Sequence, residues 1–351
     1  MKAWLARLFS NPAVGQGPAA PAPAAAPVIA APAPAIATPA PRPTVQVPAA
    51  QKVDELEGIE LAFFSWMIDG PAIVPAPPGA REARALQRLD QLAADTSAHA
   101  HLLPRAAAVV PQLMARLRDA ESSTAQLAQF VSRDVTLVAE VMRVANSVHY
   151  RRGAATVELG HAIRLLGVSG LKSAIARSVL RPMFNSRGGE LATRGAPRLW
   201  EHTELKTQLC AALARSQGLD PFDGYLVALV HSAVWSAVLR TLDGVAAQEP
   251  WCVSAPWVTA LGWRRDRLFA AVARNWQLSD TLTQLADEAA QHGLGAATSA
   301  QARLLWVGDR FASLLCVPSQ LAAAQSWLDS LAEPVRNCFE ALREAQSTTP
   351  A

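Results

Sequence analysis

The sequence predicts an all-α protein, a multi-helix bundle preceded by a disordered Ala/Pro-rich tether. From residue 81 onward, apolar residues recur at intervals of three and four, as they do on the buried face of an amphipathic helix. No stretch shows the period-two alternation between turn residues that is typical of a β-strand. Hydrophobic residues make up 51% of the 351 residues and charged residues only 17%, so the chain can fill a sizeable core.

Composition narrows the class of protein. The formal net charge of +3 is a mild excess, and it argues against a dedicated nucleic-acid binder, which carries a dense basic face. The four cysteines stand apart without CxxC spacing, which favours reduced, buried thiols. The sequence contains no run of 18 apolar residues, so it predicts no transmembrane helix. The N-terminus also lacks the apolar core of a secretory signal. We therefore expect a cytoplasmic protein.

The N-terminal part divides into three segments. Residues 1–10 have an apolar side and a basic side. One interpretation is weak peripheral contact with a membrane surface or a partner, and the other is a terminus without function. Residues 11–50 are almost entirely Ala and Pro, which predicts a semi-stiff, disordered linker. Within residues 51–80, an apolar helix from 53 to 68 is expected to dock onto the domain, before a second Pro-rich connection.

Residues 81–346 are predicted to form one all-helical domain. Asp134 is expected to begin the helix VTLVAEVMRVAN as its N-cap, and Gly167 to end the helix HAIRLLG. The stretch YLVALVHSAVWSAVLR, residues 225–240, predicts a buried helix that carries His231. This helix is the element around which the rest of the domain is expected to pack.

The order of these segments is specific. A Ser-Arg-Asp step precedes a helix, Ala145-Asn146-Ser147 is followed by an aromatic residue, and Arg164-Leu165-Leu166-Gly167 ends the next helix. LWEHTELKTQLCAALA, GYLVALVHSAVW and ARNWQLSDTL follow. Over residues 103–291 the chain resembles the HDOD domain, the HD-related output domain of bacterial signalling proteins. The resemblance implies a helical fold related to HD phosphohydrolases, usually deployed as a regulatory or protein-interaction module with no agreed reaction.

The resemblance also implies the location of a vestigial metal site. An HD hydrolase binds its metal with a His on one helix, a His-Asp pair on a second and a distant Asp on a third. These positions correspond to His202, His231 and Asp309 here, and Ser232 stands where the pair requires its Asp. A serine hydroxyl carries no negative charge and is a poor ligand. We therefore interpret these positions as vestigial.

The next residues also differ from a catalytic site. Val234 and Trp235 stand where HD enzymes commonly have a small Gly and a phosphate-facing Lys, and the indole is expected to fill the pocket. We predict no catalytic residue and no cofactor. The alternative is a divergent metal-dependent phosphohydrolase acting on a nucleotide or cyclic dinucleotide, with a single divalent metal at the two histidines and the distant Asp. Glu201 or Glu204 would then supply the carboxylate missing beside His231.

A basic stretch is the last candidate site. Arg264, Arg265 and Arg267 follow Trp263, a combination that either contacts an anionic partner or forms a solvated helix face interrupted by Asp266. Taken together, the sequence predicts a non-catalytic signal-transduction module that binds unidentified signalling proteins. It also predicts a small ligand in the vestigial cleft and no nucleic-acid partner.

Overall fold

The computed structural model describes residues 53–70, 73–95, 124–146, 156, 158–184, 189–245, 253–276 and 278–347. These ranges contain twelve α-helices and no strand beyond one isolated parallel bridge between Val74 and Ser254. The predicted all-α fold is confirmed. The helices are α1 (Val53–Ile68), α2 (Ala80–Ala94), α3 (Thr124–Ser132), α4 (Val135–Ala145), α5 (Leu159–Leu180), α6 (Glu190–Ser216), α7 (Pro221–Asp243), α8 (Ala255–Asn275), α9 (Asp280–His292), α10 (Ala300–Cys316), α11 (Leu321–Ser330) and α12 (Glu333–Ser347).

Helix α7 is buried along nearly its whole length. Every residue from Gly224 to Leu239 is buried, as the uniformly apolar sequence predicts. Its start is fixed by Pro221 and by Asp220, whose carboxylate accepts a hydrogen bond of 2.8 Å from the amide of Phe222. By length and composition alone this helix could cross a membrane, but 89% of its most apolar stretch is covered by the protein itself, as in any core helix.

Helices α6 and α7 pack side by side in opposite directions. The end of α7 reaches the start of α6, where the Asp243 carboxylate accepts hydrogen bonds of 2.9 Å from the amides of Leu191 and Ala192. At the other end, the absence of a side chain at Gly224 permits close approach, because a Cβ there would lie 2.5 Å from the carbonyl oxygen of Cys210. This tight pairing brings side chains from the middle of both helices into contact.

Helix α1 docks onto this pair, as predicted. Phe63, Phe64 and Met67 are at most 4% exposed. The guanidinium of Arg198 on α6 donates a 2.6 Å hydrogen bond to the carbonyl oxygen of Trp66 in the last turn of α1. Residues 1–50, and with them the predicted tether and the amphipathic segment, lie outside the described residues.

Two local predictions are also confirmed. Asp134 begins α4, where its carboxylate accepts hydrogen bonds from the amides of Thr136 at 2.7 Å and Leu137 at 3.0 Å. Gly167 interrupts α5 with φ 62° and ψ −171°, so α5 consists of two helices that meet at a kink. Glycine adopts this backbone conformation without the steric penalty that a side chain brings.

Candidate functional site

The three predicted vestigial positions come from three helices and meet in the core. His202 lies on α6, His231 on α7 and Asp309 on α10, and none is more than 4% exposed. The Nε2 atom of His202 lies 3.9 Å from Oδ1 of Asp309 and 3.4 Å from its carbonyl oxygen. The mapping by resemblance therefore selects residues that are neighbours in space.

A lysine that the sequence did not suggest links these positions. Lys206 lies one turn after His202 on the same face of α6 and is 0% exposed. Its Nζ atom is 2.6 Å from Oδ1 of Asp309 and 2.5 Å from Nδ1 of His231. Burial lowers the pKa of Lys206, and the Asp309 carboxylate opposes this shift. The ammonium group thus lies between an imidazole nitrogen and a carboxylate oxygen, which are also typical ligands of a divalent cation.

A carboxylate does lie beside His231, but it comes from α8. Oδ1 of Asp266 is 3.3 Å from Nε2 of His231 and accepts hydrogen bonds of 3.0 and 2.9 Å from the Arg265 guanidinium. Its other oxygen accepts a 3.1 Å hydrogen bond from the amide of Leu294. Burial acts to raise the pKa of Asp266. Arg265 and His231 lower this pKa by more than burial raises it, so the net shift is downward.

The proposed donors Glu201 and Glu204 do not supply this carboxylate, so that expectation is wrong. Glu201 is exposed on the outer face of α6. Glu204 instead forms an ion pair with the buried Arg177 and lies 3.8 Å from Arg143. Both glutamates precede Lys206 at spacings that turn them away from the face that His202 and Lys206 share.

The hydrogen bonds of His231 define its tautomer. Nδ1 accepts from the Lys206 ammonium, which has no acceptor capacity, so Nε2 carries the proton and donates it to Asp266. Burial lowers the pKa of His231 to about 4, and the nearby Lys206 and Arg265 act in the same direction. His231 is therefore a neutral imidazole at neutral pH.

His202 is neutral for similar reasons. Burial lowers its pKa to about 3. Its Nε2 lies 3.2 Å from the hydroxyl of Ser313, which itself donates to the Asp309 carbonyl oxygen at 2.9 Å. The Phe63 ring of α1 covers the imidazole at a centroid distance of 4.2 Å. The Nδ1 atom of His202 has no hydrogen-bond partner within the described part of the chain.

Two further charges complete the cluster. Glu60 on α1 lies 4.0 Å from Arg265 and 3.2 Å from Arg310, and both arginines approach Oδ2 of Asp309, at 3.7 and 3.5 Å. Burial acts to raise the pKa of Asp309, but Lys206 and Arg265 hold it well below its usual value. Three cations and three carboxylates therefore balance around two neutral imidazoles. We call these eight residues the internal ion cluster: Glu60, His202, Lys206, His231, Arg265, Asp266, Asp309 and Arg310.

The residues that follow His231 lie in the core beside the internal ion cluster. Ser232 is fully buried, and its hydroxyl has no hydrogen-bond partner among the residues that the structure describes. Val234 is also fully buried. The Arg265 guanidinium lies over the indole of Trp235, 5.4 Å from the centroid of the indole ring. The ring centroids of Trp235 and Phe63 are 6.3 Å apart. Ser232 thus contributes no ligand atom to the cluster, while Trp235 occupies space next to it.

The interpretation of Arg264, Arg265 and Arg267 as one patch for an anionic partner is wrong. Arg265 is only 4% exposed and belongs to the internal ion cluster. Arg264 and Arg267 both bind the Asp90 carboxylate of α2, at 2.7 and 3.0 Å. Successive residues of a helix point about 100° apart, so one of the three arginines faces the core while the other two reach a neighbouring helix. They do not form a common surface for an anionic partner.

A divalent metal, which the HD relationship implies, does not fit these residues as they stand. The Lys206 ammonium already engages the Nδ1 of His231 and the Oδ1 of Asp309, and Arg265 engages Asp266. Across the described ranges, no group of three or more His, Cys, Asp or Glu side chains has an arrangement that could hold a metal ion. Both carboxylates that a metal would require have a protein cation as their partner.

A comparison with protein-family models agrees with the resemblance. The family model of the HDOD domain matches residues 103–292. An HDOD domain protein of unknown function from Geobacter sulfurreducens aligns with 17% identity and a TM-score of 0.49, over 68% of this chain and 88% of its own. A Shewanella amazonensis SB2B protein with the provisional description of a metal-dependent phosphohydrolase aligns with 13% identity and a TM-score of 0.47, over 84% of this chain and 99% of its own. No protein with a curated description matches. Since the family model spans more than half of the chain, this protein belongs to the HDOD domain family.

Proposed function

We propose that this protein is a non-catalytic signal-transduction module that acts in the cytoplasm by binding other signalling proteins. One observation carries the non-catalytic part, namely the position of the Lys206 ammonium between His231 and Asp309. Metal-assisted hydrolysis requires an open coordination site that activates water and a substrate phosphate within reach of it. Here all three candidate ligands are buried, and His231 and Asp309 both contact the Lys206 ammonium, which leaves no such opening among the described residues.

Membership of the HDOD family supports the regulatory part of the proposal. Proteins that resemble this domain usually act as regulatory or interaction modules, and a fold by itself does not define a reaction. The expected small ligand in the vestigial cleft remains a prediction. Because His202 and His231 are 0% exposed and Phe63 of α1 covers His202, the surrounding helices would have to move before a ligand could reach either histidine.

The proposal is tested by the metal content and the activity of the untagged protein. Elemental mass spectrometry on the purified wild type and on His231→Ala should find no stoichiometric metal in either. Nucleotides and cyclic dinucleotides incubated with the wild type and added Mn²⁺ or Mg²⁺ should remain intact. Hydrolysis that His231→Ala abolishes without unfolding the protein would refute the non-catalytic proposal.

A divergent phosphohydrolase is the second candidate, and Asp266 is the observation that favours it. This carboxylate lies 3.3 Å from Nε2 of His231, close to where the alternative requires a replacement for the missing Asp. Its charge is engaged by Arg265, which limits what it could contribute to catalysis. The alternative predicts turnover that Asp266→Asn abolishes while the protein stays folded. The non-catalytic proposal predicts no turnover in either protein and only a loss of stability in the variant.

A further inference from the structure

We propose that a cavity between α4, α5, α6 and α7 binds a small monocarboxylate. The cavity has a volume of about 60 Å³, and its polar lining includes Arg143, Ser173, Arg177, Gln208 and Tyr225. This inference goes beyond the proposed function, because it assigns a ligand class to a place other than the vestigial cleft and does not depend on any signalling partner.

The cavity is separate from the internal ion cluster. On α6 it is lined by Thr207 and Gln208, which follow Lys206 by one and two residues. Each residue turns an α-helix by about 100°, so these two side chains leave α6 in directions far from that of Lys206. Tyr225 on α7 precedes His231 by six residues and is about 120° from it around the helix axis. The cavity and the vestigial positions therefore lie on different faces of both helices.

The first support is the hydroxyl of Tyr225. This residue is only 9% exposed and lines the cavity, and its hydroxyl has no hydrogen-bond partner among the residues that the structure describes. Burial raises the pKa of the hydroxyl, so the group stays protonated and can donate. A buried donor without a partner is unfavourable, because the free energy of its hydration is lost without compensation. An oxygen atom of a ligand in the cavity would supply the missing acceptor.

The second support is the pair of guanidinium groups in the lining. Arg177 is 6% exposed, and its Nε and Nη2 atoms pair with Glu140 and Glu204, whereas its Nη1 forms no ion pair within the described ranges. Arg143 donates to Glu140 from Nε at 3.1 Å and from Nη2 at 2.8 Å. Its Nη1 lies 3.8 Å from Glu204, which is too far for a hydrogen bond. Each guanidinium therefore keeps N–H groups for a further oxygen, and arginine binds carboxylates with strong, charge-assisted hydrogen bonds.

The third support is charge, which favours a ligand with a single negative charge. The two arginines of the lining are balanced by their partners Glu140 and Glu204. Lys172 adds one positive charge, because it directly precedes the lining residue Ser173 on α5 and forms no ion pair within the described ranges. Its ammonium lies 5.8 Å from the ring centroid of Phe222. A monoanion would balance this charge, whereas a dianionic phosphate would exceed it.

The fourth support is size. One water-sized group needs roughly 10–15 Å³, so a cavity of about 60 Å³ admits roughly four to six such groups. A carboxylate with a short hydrocarbon chain has this size, and a nucleotide is far larger. The apolar lining residues Val144, Ala174 and Ala211 would contact the hydrocarbon chain. A short-chain monocarboxylate such as propionate therefore matches both the volume and the mixed lining.

Saturation-transfer NMR on the full-length protein in phosphate-free buffer tests the proposal. Propionate is the ligand, propionamide is its uncharged match, and inorganic phosphate is the competing anion. The wild type should transfer saturation to propionate and not to propionamide, and phosphate at equal concentration should not displace the propionate. The thermal midpoint should rise with propionate concentration, since a ligand that binds only the folded state stabilises it.

Four variants locate the site. Tyr225→Phe removes only the hydroxyl and should weaken propionate binding about tenfold, as expected for one hydrogen bond to a charged group. Ala211→Leu fills the cavity without a change of charge and should abolish binding. Arg143→Gln should weaken binding. Its matched control is Arg274→Gln, which removes an exposed arginine that pairs with Asp287 away from the cavity, and this variant should bind like the wild type.

The proposal is overturned if the wild type does not bind propionate, or if propionamide or phosphate binds as well as propionate does. It is also overturned if Tyr225→Phe binds propionate like the wild type. Circular dichroism establishes that each variant is folded. If Ala211→Leu does not fold, Tyr225→Phe decides the question, because it keeps the aromatic ring and its packing.

Discussion

Replacing Arg265 by Met tests whether the internal ion cluster is as buried and as closely balanced as the structure indicates. The guanidinium makes two hydrogen bonds to Asp266 and lies 3.7 Å from Asp309 and 4.0 Å from Glu60. Methionine keeps an unbranched side chain of similar volume but lacks the guanidinium, which lies 5.4 Å from the centroid of the Trp235 ring, so the loss is mainly electrostatic. The substitution leaves the carboxylates with one cation fewer in the core.

The size of the effect follows from this burial. Removing one partner of a buried ion pair typically costs about 3–5 kcal/mol, because the remaining charge stays in the interior without compensation. In a domain of this size, 1 kcal/mol shifts the thermal midpoint by roughly 2–4 °C. Arg265→Met is therefore expected to lower the midpoint by about 6–20 °C. Thermal unfolding followed by circular dichroism, together with urea denaturation, measures this loss.

The neighbouring residue provides the control. Arg264 pairs with Asp90 where the two side chains are 22% and 35% exposed, and Arg267 also binds that carboxylate. Arg264→Met should thus cost no more than about 1 kcal/mol, as is usual for ion pairs near the surface. If the two variants lose the same small amount of stability, the reasoning about the cluster is refuted, and Arg265 must face solvent as the basic-patch interpretation required.

Three further predictions concern pH, the docked helix and a helix cap. Burial lowers the pKa of His202 to about 3 and the pKa of His231 to about 4. In the unfolded chain each histidine has its ordinary pKa of about 6.5, so between pH 6.5 and pH 4 these histidines take up protons only when the protein is unfolded. Stability should be complete above pH 6.5 and fall towards pH 4 by roughly 1.4 kcal/mol per pH unit for each ring. Urea denaturation at stepped pH measures this slope, and a flat profile between pH 7 and 5 would contradict it. Phe63→Ala should cost about 3–5 kcal/mol in the same assay. Trp263→Ala, at a site that is 44% exposed, should cost far less, and equal losses would argue against the docking of α1. Asp243→Ala removes two hydrogen bonds from the start of α6 and should cost about 1–2 kcal/mol in thermal unfolding, whereas no loss would show that water replaces the cap.

Much of the fold could be predicted because its determinants are local. The continuous apolar run that identifies α7 is a local feature, and the burial of this helix follows from its lack of any polar face. Asp134 and Gly167 act on their own backbone, so their effects can be predicted from single positions. The docking of α1 could be predicted from Phe63 and Phe64, because rings this large are rarely left in water.

The internal ion cluster could be predicted only in part, because its contacts join residues that are distant along the chain. His202, His231 and Asp309 were found through family resemblance. Lys206 was missed, although its spacing of four from His202 places both on one face of α6, because lysine is almost always exposed. In the sequence, Asp266 only interrupts a basic stretch. Only the packing of α8 against α7 shows that it turns inward, and this packing is not encoded in the local spacing of charges.

The internal ion cluster also shows why the folded unit is larger than the family match. Lys206 and Arg265 lie within residues 103–292, but their partners Asp309 and Glu60 lie after and before that range. The matched segment alone would retain these two buried cations with one clustered carboxylate, Asp266, and such an imbalance is unfavourable in a core. Helices α1 and α10 supply the missing negative charges, and α1 also covers His202. The neutral core is therefore a property of the whole set of helices, and a change that displaced α1 would unbalance it. This dependence would couple the position of an N-terminal helix to the stability of the entire domain.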